Sequence, residues 1–428
     1  MTAWNCVALA ARRATAAALS AACVGLTALA APPALADGAQ PSPEAAPEGS
    51  AEQDPLPAIG TAPDGGCTPA SSTVVAERPW TTPLLDLPGA WDLSEGDGVT
   101  IAVLSTGIDA ETAAVGPALS GQGSEDCLGY GTFLAGLVAG RPQSDSGLTG
   151  VAPGARVIDV PVTEALGASD ASSIADGIET AVDEGAEVVL VGTAIAESSL
   201  ELVTAMDAAA EADVLVVAPA TVAVNRVFVP ASPGDHAAAV SVAAVGVDGS
   251  PVADFAALDS DGTAARVDLT APGDLIVSVG PGGDGHFVGA GDVVAAGFVA
   301  GTAALLLSYE PDLSASDVRE RLLATAYPSP DGPGDALRGS GRVDPVGALS
   351  AAPGASAGNA YPGAGFVPDP GPGDVSPPSV LVVVGIAAAL ILTTVAAGVL
   401  IPRGRGRAWR AALPGERRAR DPAPRRPY

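Results

Sequence analysis

The chain has 428 residues, and 48% of them are hydrophobic, enough for a packed core, so a wholly disordered protein is excluded. All 20 basic residues are Arg, set against 49 acids for a net charge of −29. Between residues 37 and 402 nine Arg face 47 acids, a net of −38; a body that acidic repels phosphate backbones, which excludes nucleic-acid binding.

In chain order, residues 1–36 read as a secretory signal. Arg12 and Arg13 precede an apolar run over 14–31, and Ala34-Leu35-Ala36 offers a cleavage site before Asp37. The alternative is an uncleaved membrane anchor. Residues 37–69 form a flexible arm rich in Pro, Ala, Gly and acids, without periodicity. Cys6 and Cys23 would leave with the signal. Cys67 and Cys127 remain as a pair in an exported protein, for which a disulfide is the natural expectation. A metal site fits poorly, because the two Cys and the isolated His236 and His286 show no ligand spacing.

Six short β-branched runs follow, at 99–104, 156–162, 187–192, 213–218, 239–246 and 275–280. Each is apolar on both faces, as strands inside a parallel sheet are. Helical patterns lie between them. Residues 171–184 place Ile174, Ile178 and Val182 at fourfold spacing, and 198–210 place Leu202 and Met206 likewise. A long apolar helix is predicted over 295–308. Another, over 314–325, starts at the N-cap Ser314 with Asp317 three residues on, a weak capping box. The alternation predicts an α/β domain over 70–350 with helices on both faces of the sheet.

Residues 351–378 are Pro- and Gly-rich and read as an extended stalk. Residues 379–401 carry no charge and span about 34 Å as a helix, enough to cross a bilayer. Nine Arg follow in the tail, 402–428, so the tail is expected in the cytoplasm and the acidic body outside the plasma membrane. A buried core helix or a transient sorting tail are the alternatives; Ser376-Pro377-Pro378 is no sortase signal. The Arg tail suits anionic lipid or a cytoplasmic protein.

A succession of short motifs carries a family likeness. Trp80-Thr81 and Ala90-Trp91 precede the first strand. Ser105-Thr106-Gly107-Ile108-Asp109 follows it, and Asp126-Cys127-Leu128-Gly129-Tyr130-Gly131-Thr132 enters a helix. Then come Gly150-Val151-Ala152-Pro153-Gly154, Ala271-Pro272-Gly273, the helix from Ala295 to Leu305, and Gly341-Arg342-Val343-Asp344-Pro345. In this order the motifs resemble the subtilisin-like serine peptidases, and most closely the mycosins, membrane-anchored subtilases of type VII secretion systems. The signal, Cys pair, stalk and C-terminal helix match that layout. The resemblance implies a subtilisin-like three-layer α/β/α domain with a mostly parallel sheet, plus one C-terminal transmembrane helix. It also implies a lipid bilayer and subunits of a type VII secretion membrane complex as partners, and no cofactor.

By the same resemblance, Ser105 stands where that family has its triad acid, Tyr130 at the His and Val293 at the nucleophile. Val222 stands at the oxyanion Asn, with Asn225 three residues off. Val293 has no nucleophilic atom. A phenol of pKa near ~10 is a poor base at neutral pH, and Ser105 cannot hold an imidazolium. Losing such a triad costs on the order of 10⁶-fold, or ~8 kcal/mol of barrier, a magnitude established on a subtilisin itself. The expectation is therefore a pseudoprotease without catalytic residues, with a structural or stabilising role. Two other functions stay open: an active endopeptidase using a Ser and a base outside these motifs, and a peptide-binding decoy using the vacated groove. Gly107, Gly131 and Gly291 are expected in turns, and Asp109 and Asp126 as loop or cap residues. A Ca²⁺ site lacks a ligand-spaced loop.

Overall fold

The computed structural model describes residues 55–351, apart from 61–65, 165–166, 254–257, 259–261, 263, 330–331 and 333–334. The expected signal, stalk, transmembrane helix and Arg tail lie outside the described residues, as does most of the arm. Two short helices, α1 (Thr81–Leu84) and α2 (Leu87–Trp91), lead into β1 (Thr100–Ser105), α3 (Tyr130–Ala139) and β2 (Arg156–Pro161). Next come α4 (Ala171–Asp183), β3 (Val188–Val191), α5 (Leu200–Glu211) and β4 (Leu215–Pro219). The hairpin strands β5 (Thr221–Val224) and β6 (Val227–Pro230) precede β7 (Val240–Val245), β8 (Leu269–Pro272), β9 (Ile276–Val279) and β10 (His286–Gly289). The chain continues with α6 (Asp292–Tyr309), α7 (Ala315–Thr325), β11 (Tyr327–Pro328), β12 (Gly341–Arg342) and α8 (Pro345–Ser350).

Eight strands form one sheet in the order β11-β12-β8-β7-β4-β3-β1-β2, parallel throughout except for the β11–β12 pair. Every residue of β1, β3 and β4 is buried, which is why their sequences are apolar without alternation. Their side chains nevertheless sort by parity. Ile101, Val103, Val188 and Leu190 pack under α3, α6 and α7, whereas Ala102, Leu104, Val189 and Val191 pack against Ile174 and Ile178 of α4 and Leu202 and Met206 of α5. Two separate cores, one on each face, make the expected three layers.

The helix starts are chemically marked. Asp170 accepts from Ser173 N–H, Ser199 from Leu202 N–H and Asp344 from Gly347 N–H. The box at Ser314 is complete, with Asp317 accepting in return from the Ser314 backbone. Helix α6 is different: thirteen successive residues, Val294 to Leu306, are buried. It is long and apolar enough to cross a membrane, yet it is the central helix of this domain.

Two expectations are corrected. The run at 275–280 is not in the parallel sheet; its core, β9, pairs antiparallel with β10. Only the Gly- and Pro-rich stretch 280–285 joins them, far too short for a parallel crossover, which needs a dozen residues or more. The place in the parallel sheet belongs to β8, a strand of four residues ending in Pro. Nor is Gly131 a turn residue. Gly107 and Gly291 do take positive φ (114° and 111°), but Gly131 lies inside α3, against the chain after β1, where a Cβ would stand 1.8 Å from the Gly107 carbonyl oxygen. Gly131→Ala is expected to cost about 2–3 kcal/mol through forced displacement of α3. Urea denaturation measures this, and an unchanged midpoint would mean that the helix retreats freely. The disulfide expected between Cys67 and Cys127 is present, with the Cα atoms 4.5 Å apart.

Candidate functional site

Strand β1 has β2 on one side and β3 on the other, so the chain changes direction across the sheet there. In open parallel sheets such a switch point leaves a crevice at the carboxyl ends of the strands. A cavity of about 360 Å³ lies there, bounded by Thr106 after β1, Gly192 after β3 and Thr221 after β4. Tyr130, Val222 and Val293 all line it. Three of the four positions singled out in the sequence therefore line one cavity. The fourth, Ser105, ends β1 behind them; it is buried, and its Oγ donates to the Gly192 carbonyl at 3.5 Å. Asn225 is exposed at the turn between β5 and β6, with Arg226, both at positive φ (51° and 67°). That two-residue turn closes a hairpin whose Phe228 forms part of the cavity wall.

Tyr130 opens α3 after Gly129, which takes φ 83°. Burial raises its phenol above the ordinary value of 10.0, so at neutral pH the hydroxyl keeps its proton. Below it, Asp126 is more than the loop or cap residue expected. One carboxylate oxygen accepts from Thr106 Oγ (2.6 Å) and Gly129 N–H (2.7 Å), the other from Thr132 N–H (2.8 Å) and Thr132 Oγ (2.7 Å). Thr106 Oγ in turn accepts from Gly131 N–H at 3.1 Å. One buried carboxylate thus binds the end of β1 to the start of α3. Asp109 does behave as a loop residue, taking Glu111 N–H (2.9 Å) and Gly282 N–H (2.8 Å).

A second carboxylate was not recognised in the sequence. Asp292, just before Val293, accepts from Thr221 N–H (3.0 Å) and Thr221 Oγ (2.6 Å) on one oxygen and from Ala244 N–H (2.8 Å) on the other. Burial pushes its pKa up, and these hydrogen bonds act against that shift. It ties the head of α6 to β5 and β7. The only signal for it was an acid in an otherwise apolar run.

No histidine or serine is among the described residues lining the cavity. His236 Nε2 lies 3.5 Å from Asp207, and His286 is buried at the start of β10, where its Nδ1 accepts from Val75 N–H. A larger groove of about 550 Å³ runs along β2 and α4, lined by Asp159, Glu164, Asp170 and Asp176. Among the described residues no group of three or more His, Cys, Asp or Glu is arranged to hold a metal ion.

Residues 96–351 match the model of the subtilase family (Peptidase_S8). The chain is 32% identical to Mycosin-3 of Mycobacterium tuberculosis, an alignment covering 75% of this chain and 83% of that protein. Among solved structures it is similar to the MycP3 protease from the type VII (ESX-3) secretion system, with TM-score 0.56, 30% identity, and 69% and 97% of the two chains covered. It is also similar to a chain of the periplasmic assembly from the ESX-5 inner membrane complex, with TM-score 0.56, 25% identity, and 69% and 89% covered.

Proposed function

Because the chain belongs to the subtilase family, in its mycosin branch, we propose that it is a membrane-anchored pseudoprotease and a structural subunit of a type VII secretion membrane complex. The observation that carries this is the make-up of the cavity. At the carboxyl ends of the strands, Tyr130, Val222 and Val293 present a protonated phenol and two aliphatic side chains, and Ser105 is turned to a carbonyl behind them. Acyl transfer needs a nucleophile with a base in reach; these side chains supply no such pair, and Asp292, the carboxylate among the described lining residues, is taken up by Thr221 and Ala244. Meanwhile Asp126, Thr106 and Thr132 keep the surrounding framework in place. A framework maintained around such a cavity suits a protein whose surface, rather than its chemistry, is in use. The uncharged stretch 379–401 would anchor the domain on the outer side of the membrane, with the Arg-rich tail in the cytoplasm. The partners follow from likeness to a component of the ESX-5 periplasmic assembly.

Two measurements on the full chain test this. Solubilised from native membranes, it is expected to co-purify with subunits of the secretion complex; their absence counts against the scaffold role. A serine-directed fluorophosphonate is expected to leave the protein unlabelled, and stoichiometric labelling would reject the inactive state. One observation favours a second reading, a peptide-binding module: the side chains of Tyr130 and Val293 leave about 360 Å³ unfilled, with Phe228 and Leu128 adding apolar surface. Saturable binding of an uncleaved extended peptide, lost on Val293→Trp, would support it.

A further inference from the structure

His286 opens β10 and is 1% exposed. Both ring nitrogens are engaged. Nδ1 accepts from Val75 N–H at 3.1 Å, in the segment 71–77 that continues the N-terminal arm into the domain, and Nε2 lies 3.1 Å from Ser146 Oγ. A backbone N–H only donates, so Nδ1 carries no proton, and the Nε2 proton goes to Ser146 Oγ. That oxygen also accepts from Leu148 N–H at 3.0 Å. Around the ring, His286 N–H donates to the Thr73 carbonyl (2.7 Å) and Gly147 N–H to the Val75 carbonyl (3.0 Å). One neutral imidazole therefore joins three segments: the arm, the loop at 145–148 and β10.

We propose that His286 is a pH-operated latch for the arm, holding residues 71–77 on the body when neutral and releasing them when protonated. A proton on Nδ1 would face the Val75 N–H, donor against donor, and would leave a cation in a buried site. The surroundings offer little relief. Burial lowers the ring pKa below 6.5; Asp145, on the 145–148 loop, acts the other way but is outweighed. The arm brings Glu77 and Arg78 beyond the Val75 contact, and β9 sets Val279 opposite His286. Asp284, two residues before the ring, is engaged with Ala113 N–H at 2.8 Å.

The sign follows from proton counts. The closed arm binds fewer protons than the open arm, whose histidine has its ordinary pKa. The latch is thus at full strength above pH about 6.5, and as pH falls it weakens up to about tenfold per unit until the depressed ring pKa is passed. Release is local, since Cys67 stays bonded to Cys127 and Thr68 holds the Cys127 and Leu128 carbonyls (2.7 and 2.8 Å).

The test is amide hydrogen exchange on the full chain, oxidised and solubilised in detergent, at stepped pH and corrected for intrinsic exchange. Protection at Val75, Gly147 and His286 is expected to fall by up to about fivefold between pH 6.5 and 5.5, while the amides of α6 hold. His286→Asn, which keeps an acceptor but does not titrate, is expected to flatten the profile. Asp145→Asn, an exposed change that removes the charge favouring the imidazolium in the closed state, is expected to deepen the fall in protection at acid pH. Protection independent of pH in the natural chain, an equal fall in His286→Asn, or a shallower fall in Asp145→Asn would each overturn the latch.

Discussion

Ser105→Asp, Tyr130→His and Val293→Ser made together are expected to turn over peptide about 10²–10³-fold more slowly than the same variant carrying Val222→Asn as well. The first three changes restore an acid, a base and a nucleophile around the cavity that Tyr130 and Val293 line. They do nothing for the oxyanion, because Val222, which lines the same cavity, has no donor in its side chain. Asn225 does not substitute for it, being exposed at the hairpin turn. Nor is β5 free to rearrange. Thr221 is held by Asp292 through both its N–H and its hydroxyl, and Val222 is paired with Val229. Measuring kcat/KM on a chromogenic peptide, with fluorophosphonate titration of competent sites, separates the two variants. Equal activity would mean that another donor serves the oxyanion, and no activity in either would reject these positions as the triad equivalents.

Asp126→Ala is expected to cost about 3–5 kcal/mol of folding stability, the range for removing one partner of a buried charged network. It leaves four donors without an acceptor, two backbone N–H groups and two hydroxyls, where the end of β1 meets α3. Asp126→Asn should cost less but still measurably, since its amide NH₂ would face donors on one side. Urea denaturation followed by tryptophan fluorescence reads both. A loss under about 1 kcal/mol for the alanine variant would show that water takes over the carboxylate's bonds.

The parallel strands were legible because burial on both faces leaves an unbroken β-branched run, and the helices between them because their apolar stripes recur every fourth residue. Legibility failed where length or partner choice decided. Residues 276–279 look like any buried strand, and only the short link to His286 makes them half of a hairpin. Strand β8 is too short to announce itself, and the β5–β6 hairpin depends on positive φ at Asn225 and Arg226, residues that also suit an ordinary loop. The positions around the cavity were found through motif order. What ties them together was not, because Asp292 finds its partners 48 and 71 residues away. Gly131 reads as one more glycine until the Gly107 carbonyl is set against it.

Helix α6 has a mechanical consequence. It is about 27 Å long at 1.5 Å per residue. At its head Asp292 is bonded to β5 and β7, and near its foot Ser308 Oγ donates to the Asp97 carbonyl at 2.8 Å, ahead of β1. Between these ends it is jacketed by side chains on all sides. Such a rod behaves as a strut: a push at the Asp97 end shifts the Val293 end as a rigid body, because close-packed surroundings leave no slack to absorb it.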